Sequence, residues 1–164
     1  MKQSYLVALF LLSCLVTLGV KAEDKASIET ALNEFHRAAA NAKTKPYLDL
    51  LTADAIFLGT DASERWTKEQ FKAFVVPYFS KGKGWLYTPT QRNISLVESK
   101  EVAFFDELLQ NSSYGTCRGS GVLVKTPNGW KISQYNLSIP MPNGIAKALV
   151  KQIEAFSTKA ESKQ

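Results

Sequence analysis

Residues 118–138 read RGSGVLVKTPNGWKISQYNLS, and this stretch is typical of a β-hairpin. Apolar and polar residues alternate on both sides of the turn Thr126–Gly129. Proline suits the first central position of a type I turn, and glycine accepts the positive φ that follows. The resulting three-residue loop predicts one register, which pairs Thr126 with Trp130, Val124 with Ile132, Val122 with Gln134, Ser120 with Asn136 and Arg118 with Ser138.

One face of this predicted hairpin changes character along its length. Near the turn it carries Val122, Val124, Trp130 and Ile132, and at the far end it carries Arg118, Ser120, Gln134, Asn136 and Ser138. A core face that becomes polar towards one end predicts a pocket with an apolar base and a few orienting polar groups. The alternatives are a strand end in solvent, or a bulge at Gly119 and Gly121 that turns Arg118 to the other face.

The rest of the chain predicts helices that precede most of the strands. Helical spacing or start signals indicate helices from Ser27 to about Asn41, from Pro46 to Thr52 and from Thr67 to Pro77, with a closing helix from Ile145 to Phe156. Strands are indicated at Ala55–Leu58, Trp85–Tyr87, Ile94–Glu98, Val102–Leu109, Thr116–Lys125 and Trp130–Ser138. This order predicts an α+β fold in which helices pack on one side of a curved antiparallel sheet.

The first 22 residues have the layout of a signal peptide. Lys2 precedes an apolar run to Val20, and Val20 and Ala22 are the small residues before a predicted cut at Glu23. We therefore expect an exported protein, periplasmic or secreted, with one domain at 23–164. The alternatives are a membrane-spanning helix and a lipidation site at Cys14.

The composition argues against nucleic acid as a partner and against a metal ion as a cofactor. Removing Lys2 and Lys21 from the net charge of +5 leaves about +3, which is too mild to indicate nucleic acid. One histidine and one mature cysteine, Cys117, make neither a metal site nor an intrachain disulfide. No glycine-rich phosphate loop follows a strand. We expect no metal, no cofactor and no stable membrane insertion of the mature domain.

A few side chains are candidates for chemistry. Asp106 and Glu107 are adjacent on a predicted strand, so they point to opposite faces. If Glu107 points inward, Arg118 is its expected partner, in a ligand anchor or a structural ion pair. His36 is either a half-buried helix histidine or a catalytic group. Trp66 and Tyr87 either line a pocket or belong to the core.

Several motifs, taken in order, resemble a known family. They are YLDLLTADAIFLGTD at 47–61, ERW at 64–66, FDE at 105–107, RGSGV at 118–122, GWKI at 129–132 and SIP at 138–140. From roughly Ile28 to Asn143 the chain resembles the SnoaL-like branch of the nuclear transport factor 2-like superfamily. The resemblance implies a cone-shaped curved antiparallel sheet closed by N-terminal helices, often dimeric, with a pocket in its mouth. Similar isomerases carry their catalytic base where this chain has Gly59, so the resemblance does not supply that base here.

Three functions are open at this point. The first is binding of a small, partly apolar molecule by Arg118, Ser120, Gln134, Asn136, Glu107, Trp66 and Tyr87. The second is an acid–base enzyme of the isomerase, cyclase or dehydratase type with Glu107 as proton acceptor. The third is a dimeric adaptor for another protein. A deep cavity favours the first two, and a filled cone favours the third.

Overall fold

The computed structural model describes residues 23–161, so the predicted signal peptide lies outside the described residues. The helices are α1 (23–40), α2 (Thr44–Asp49), α3 (Lys68–Phe79) and α4 (Ala146–Glu161), with a 3-10 turn at Asn143–Ile145. The strands are β1 (Leu51–Leu58), β2 (Arg65–Thr67), β3 (Thr88–Leu96), β4 (Val102–Asn111), β5 (Gly115–Thr126) and β6 (Gly129–Ser138). Within this part of the chain, every helix is too short or too polar to cross a membrane.

The strands form one curved six-stranded sheet in the order β2-β1-β6-β5-β4-β3, and the sheet does not close on itself. All neighbours are antiparallel except β1 and β6, which are parallel. The N-terminal helices cover the concave face. The predicted stripe of α1 is buried there, as Ile28, Leu32, Phe35 and Ala39 show. The α+β cone predicted from the sequence is confirmed.

Side-chain hydrogen bonds confirm one predicted helix start and correct another. Thr67 caps α3 as predicted, and its hydroxyl and the Gln70 side chain form a reciprocal capping box. The predicted start of α1 at Ser27 is wrong, because residues 23–26 are already helical. The Ser27 hydroxyl donates to the Glu23 carbonyl, one turn back, instead of capping a helix end.

The predicted strand Trp85–Tyr87 is also wrong. These residues form an extended connection before β3, and the Trp85 amide donates to the Ala39 carbonyl at the end of α1. Gly84 lies so close to α1 that an added Cβ would collide with the carbonyl oxygens of Ala39 and Ala40. Packing against α1 therefore replaces strand pairing in this segment.

The hairpin register differs from the prediction near the turn. Thr126 pairs with Gly129, Val124 with Lys131 and Leu123 with Ile132, which is a two-residue loop. A bulge then places Ser133 outside the pairing. Beyond it the predicted pairs are observed, namely Val122 with Gln134, Ser120 with Asn136 and Arg118 with Ser138.

The shorter loop and the bulge together explain why the predicted inner face is wrong, because the loop pairs Leu123 rather than Val124 with Ile132. An extra residue in β6 shifts its alternation by one, so that Trp130 and Ile132 are buried before it and Tyr135 after it. On β5 the buried residues are Cys117, Gly119 and Leu123. The residues predicted to point inward lie on the opposite, outer face: Arg118, Ser120, Val122, Val124, Gln134, Asn136 and Ser138.

Candidate functional site

An aromatic-lined cavity of about 250 Å³ opens between the sheet, α3 and the connection before β3. Phe74 and Tyr114 form part of its lining and are 38% and 54% exposed, so the cavity is accessible from solvent. The lining residues are Phe57, Gly59, Thr60, Glu64, Trp66, Phe71, Phe74, Trp85, Tyr87, Tyr114 and Leu137. The cone is therefore not filled by its own side chains.

Three elements bring the aromatic rings together. Trp66 of β2 pairs with Phe57 of β1 across the edge of the sheet. Phe74 of α3 stacks on Trp66 with ring centroids 4.9 Å apart, and lies 6.1 Å from Trp85. Offset and tilted rings at these separations attract each other beyond their apolar burial. The result is a continuous aromatic wall made from a strand, a helix and a loop.

Glu64 supplies the carboxylate at this wall. It ends the turn after β1, where the Gly59 amide donates to its backbone carbonyl at 2.9 Å. Its Oε2 accepts from the Asp61 amide at 3.1 Å. A Cβ added at Gly59 would collide with the Glu64 side chain, so Gly59 makes room for it. The position where similar isomerases carry their base is thus a glycine, covered by the carboxylate of Glu64.

A smaller void of about 20 Å³ adjoins the cavity and shares Phe57, Trp85, Tyr87 and Leu137 with its lining. His36, Tyr47 and Tyr135 are among the other residues that line it. A void of this size accommodates one water molecule or one ligand oxygen. Burial raises the pKa of Tyr87 to about 12, so its hydroxyl stays protonated at neutral pH.

Behind the void lies a buried ionic network centred on Glu107, which is inaccessible to solvent. Its Oε1 hydrogen-bonds with His36 Nε2 at 2.6 Å and accepts from the Tyr135 hydroxyl at 3.3 Å. Its Oε2 accepts from Arg92 Nε at 2.7 Å. Arg92 Nη1 in turn donates to Glu29 and Asn33. Three elements, α1, β3 and β6, are thereby tied to β4.

This network keeps Glu107 ionised. Burial by itself raises the pKa of Glu107, but the hydrogen bond from His36 and the charge of Arg92 outweigh it. The carboxyl pKa therefore lies below its ordinary value. Tyr135 shows the opposite effect, since burial and the negative charge of Glu107 raise its pKa. With both oxygens already bonded, Glu107 serves as an anchor for its neighbours.

The expected pairing of Glu107 with Arg118 is not formed. Glu107 pairs in the sheet with Gly119, and Arg118 points to the outer face. Arg92 takes its place, directly opposite Glu107 on β3. A Cβ at Gly119 would approach Tyr135 and Glu107 within 3.0 Å, so the glycine leaves space for the network. Gly119, directly opposite Glu107, is the sequence signal for this network that was missed. It leaves room for the Glu107 side chain, whereas Arg118 points to the outer face.

The other predicted site residues divide into two groups. Trp66 and Tyr87 line the cavity. Ser120, Gln134 and Asn136 lie on the outer face with Arg118, away from it. Asp106 also points outward, where Asn93 Nδ2 donates to it, which leaves Glu107 as the inward residue.

The missed residues are Arg92, Glu64, Phe74 and Tyr114. Arg92 could have been found by extending the predicted strand back from Ile94, because two positions along a strand lie on one face. Within residues 23–161, no three His, Cys, Asp or Glu side chains form a group that could hold a metal ion.

Comparison with known proteins supports this architecture. The family model of the SnoaL-like domain matches residues 28–142. No curated protein matches the chain. Among solved structures, a nuclear transport factor 2-like protein of unknown function from Pseudomonas putida is 11% identical, with a TM-score of 0.62 over 75% of this chain and 90% of that one.

Two further structures have the same fold. A nuclear transport factor 2-like protein with a cystatin-like fold from Novosphingobium aromaticivorans is 13% identical, with a TM-score of 0.61 over 82% of this chain and 94% of that one. A Streptomyces avermitilis protein of the same superfamily, provisionally assigned as a dehydratase, is 15% identical, with a TM-score of 0.62 over 74% and 99%. At these identities the likeness shows the fold alone.

Proposed function

The chain belongs to the SnoaL-like domain family, and we propose that it binds a small, partly apolar molecule in the aromatic cavity. The observation that carries this proposal is the unfilled space of about 250 Å³ behind the exposed rim residues Phe74 and Tyr114. Ligand sites are concave, mostly apolar and fitted with a few polar groups. Glu64 is the charged residue among those that line the larger cavity, and His36 lines the adjoining void.

The cavity also weighs against a pure adaptor. A cone used only as a scaffold for another protein gains stability from a packed interior, because protein interiors are close to crystal density. Here the aromatic wall is left partly in contact with solvent. Removing that apolar surface from water is favourable by about 25 cal/mol for each Å² that a ligand covers.

The test uses a variant that fills the space. Leu137 lines both the cavity and the void, so Leu137→Trp should occupy them. Leu86→Trp adds the same ring at an exposed position outside the lining. Native mass spectrometry after gentle purification should show a small molecule on the wild type and on Leu86→Trp, and none on Leu137→Trp. A co-purified molecule that survives Leu137→Trp in a folded protein would refute the cavity as its site.

Acid–base catalysis is the second candidate, favoured by the 2.6 Å contact of His36 Nε2 with Glu107. A carboxylate partner fixes the tautomer of an imidazole and leaves the second nitrogen available to a substrate. His36 Nδ1 has no hydrogen bond within the described residues. The proton acceptor is then His36, not the fully bonded Glu107. Deuterium exchange at the α-carbon of simple ketones, followed by NMR, should be lost in His36→Gln if this candidate holds.

We also propose that the mature protein is exported and dimeric. Export rests on the signal-like residues 1–22, and dimerisation on the exposed Phe104, which pairs with Val122 on the outer face of the sheet. Light scattering should give twice the chain mass, and Phe104→Asp should give a monomer. A wild-type monomer at micromolar concentration would contradict the dimer.

A further inference from the structure

The charge and the rings of the cavity wall define the class of ligand. Seven of its eleven lining residues are aromatic, Glu64 is the one charged residue among them, and no lysine or arginine is present. We infer that the cavity selects a cation with an apolar body, such as an alkylated ammonium ion or a protonated amine. This inference rests on the proposed small-molecule site and adds the sign of the ligand's charge.

Aromatic faces carry negative charge density, so they attract cations held within about 6 Å of the ring centroid. Quaternary ammonium groups suit such sites because their methyl groups need no hydrogen bonds and contact the rings directly. Trp66, Phe74 and Trp85 present neighbouring rings with centroids 4.9 and 6.1 Å apart along the wall. A cation that enters the cavity lies against a lining in which seven of eleven residues are aromatic.

Glu64 supplies the opposite charge. Its side chain is half-buried, and its Oε2 is held by the Asp61 amide, whereas Oε1 has no hydrogen bond within the described residues. A carboxylate in this position stabilises a cation by direct charge attraction, which weakens as salt is added. It repels an anion by the same mechanism.

The nearby basic side chains, Arg92 and His36, do not reverse this preference. Arg92 is 5% exposed and directs its guanidinium to Glu107 and Glu29. His36 lines the adjoining void but contacts Glu107 through Nε2. Both side chains are therefore paired with carboxylates behind the cavity.

The experiment compares three probes of nearly the same shape that differ in charge. Choline is the cation, 3,3-dimethylbutan-1-ol the neutral isostere and 3,3-dimethylbutanoate the anion. Calorimetric or NMR titration of the purified protein at low salt measures the Kd of each probe. The Kd of choline should be at least tenfold lower than that of the alcohol, which corresponds to about 1.4 kcal/mol of binding free energy. The anion should bind more weakly than the alcohol.

Variants assign the effect to the wall. Glu64→Gln should weaken choline about tenfold and leave the alcohol unchanged, whereas Glu98→Gln, at an exposed turn position, should change neither. Phe74→Leu keeps an apolar side chain but removes a ring face, and should weaken choline more than the alcohol. Circular dichroism checks that each variant is folded.

Two results would overturn the inference, and they are distinguishable. Equal binding of choline and the alcohol, or preference for the anion, refutes the cation preference but leaves the small-molecule site standing. Failure of all three probes to bind, together with no co-purified molecule, refutes the site itself.

Discussion

Removing the positive partner of Glu107 should strongly destabilise the protein. Arg92→Met keeps the length of the side chain but leaves a carboxylate that is inaccessible to solvent without its guanidinium. Breaking a buried ion pair from one side costs about 3–5 kcal/mol. For a domain of this size that is a fall in melting temperature of about ten degrees or more.

Arg118→Met is the matched control. Arg118 is exposed on the outer face and does not contact Glu107, so its replacement should change the free energy of unfolding by less than about 0.5 kcal/mol. Urea denaturation of wild type and both variants, monitored by circular dichroism, measures the difference. Equal losses in the two variants, or no loss in Arg92→Met, would refute the account of the network.

The stability lost in Arg92→Met should decrease as the pH falls. In the wild type the Glu107 pKa lies below its unfolded value, so its contribution is present at neutral pH and is lost as the pH falls through the folded pKa. In Arg92→Met the positive charge that lowers the Glu107 pKa is gone, whereas burial still raises it. The pKa of Glu107 in the folded variant should therefore rise. The difference in free energy of unfolding between wild type and variant should therefore be largest near pH 7 and should narrow as the pH falls towards about 4.

The remaining predictions concern the chain start, the thiol and a helix cap. Intact mass of the exported protein should begin at Glu23, whereas a lipidated Cys14 or a retained Met1 would contradict the signal peptide. Reductant should not change the melting temperature, because Cys117 is a buried free thiol whose pKa burial raises, and a fall of several degrees would reveal an intermolecular bridge. Thr67→Ala should cost about 1 kcal/mol in urea denaturation because it removes the α3 cap, and an unchanged midpoint would contradict that role.

Most of the fold could be predicted because its signals are local. The stripe of α1 with Leu32 and Phe35, the cap at Thr67 and the alternation of β4 each arise from neighbouring residues. The start of β1 at Leu51 was missed because that residue is fixed by parallel pairing with Ile132, about eighty positions away along the chain. Such pairing leaves no short-range pattern.

The candidate site was harder to predict for a similar reason. One bulged residue, Ser133, reverses which side chains of β6 face inward. The predicted register kept unbroken alternation along β6 and placed Gln134 and Asn136 inside, whereas the alternative bulge was expected at Gly119 and Gly121 of β5. Trp66 and Tyr87, which the sequence analysis assigned to a pocket or to the core, line the cavity, but Arg92 and Glu64 become recognisable only when strands and turns are brought together in space.

The most direct test of the cavity as the binding site is a titration with choline followed in ¹H–¹⁵N NMR spectra. The quantity measured is the chemical-shift change of the three tryptophan indole N–H signals. Trp66 and Trp85 line the cavity, and Trp130, buried at the turn end of the sheet, is an internal control. We expect saturable shifts of the Trp66 and Trp85 signals and none of Trp130. Saturable shifts confined to outer-face residues such as Arg118 and Ser120 would contradict the account and return the site to the face first predicted from the sequence.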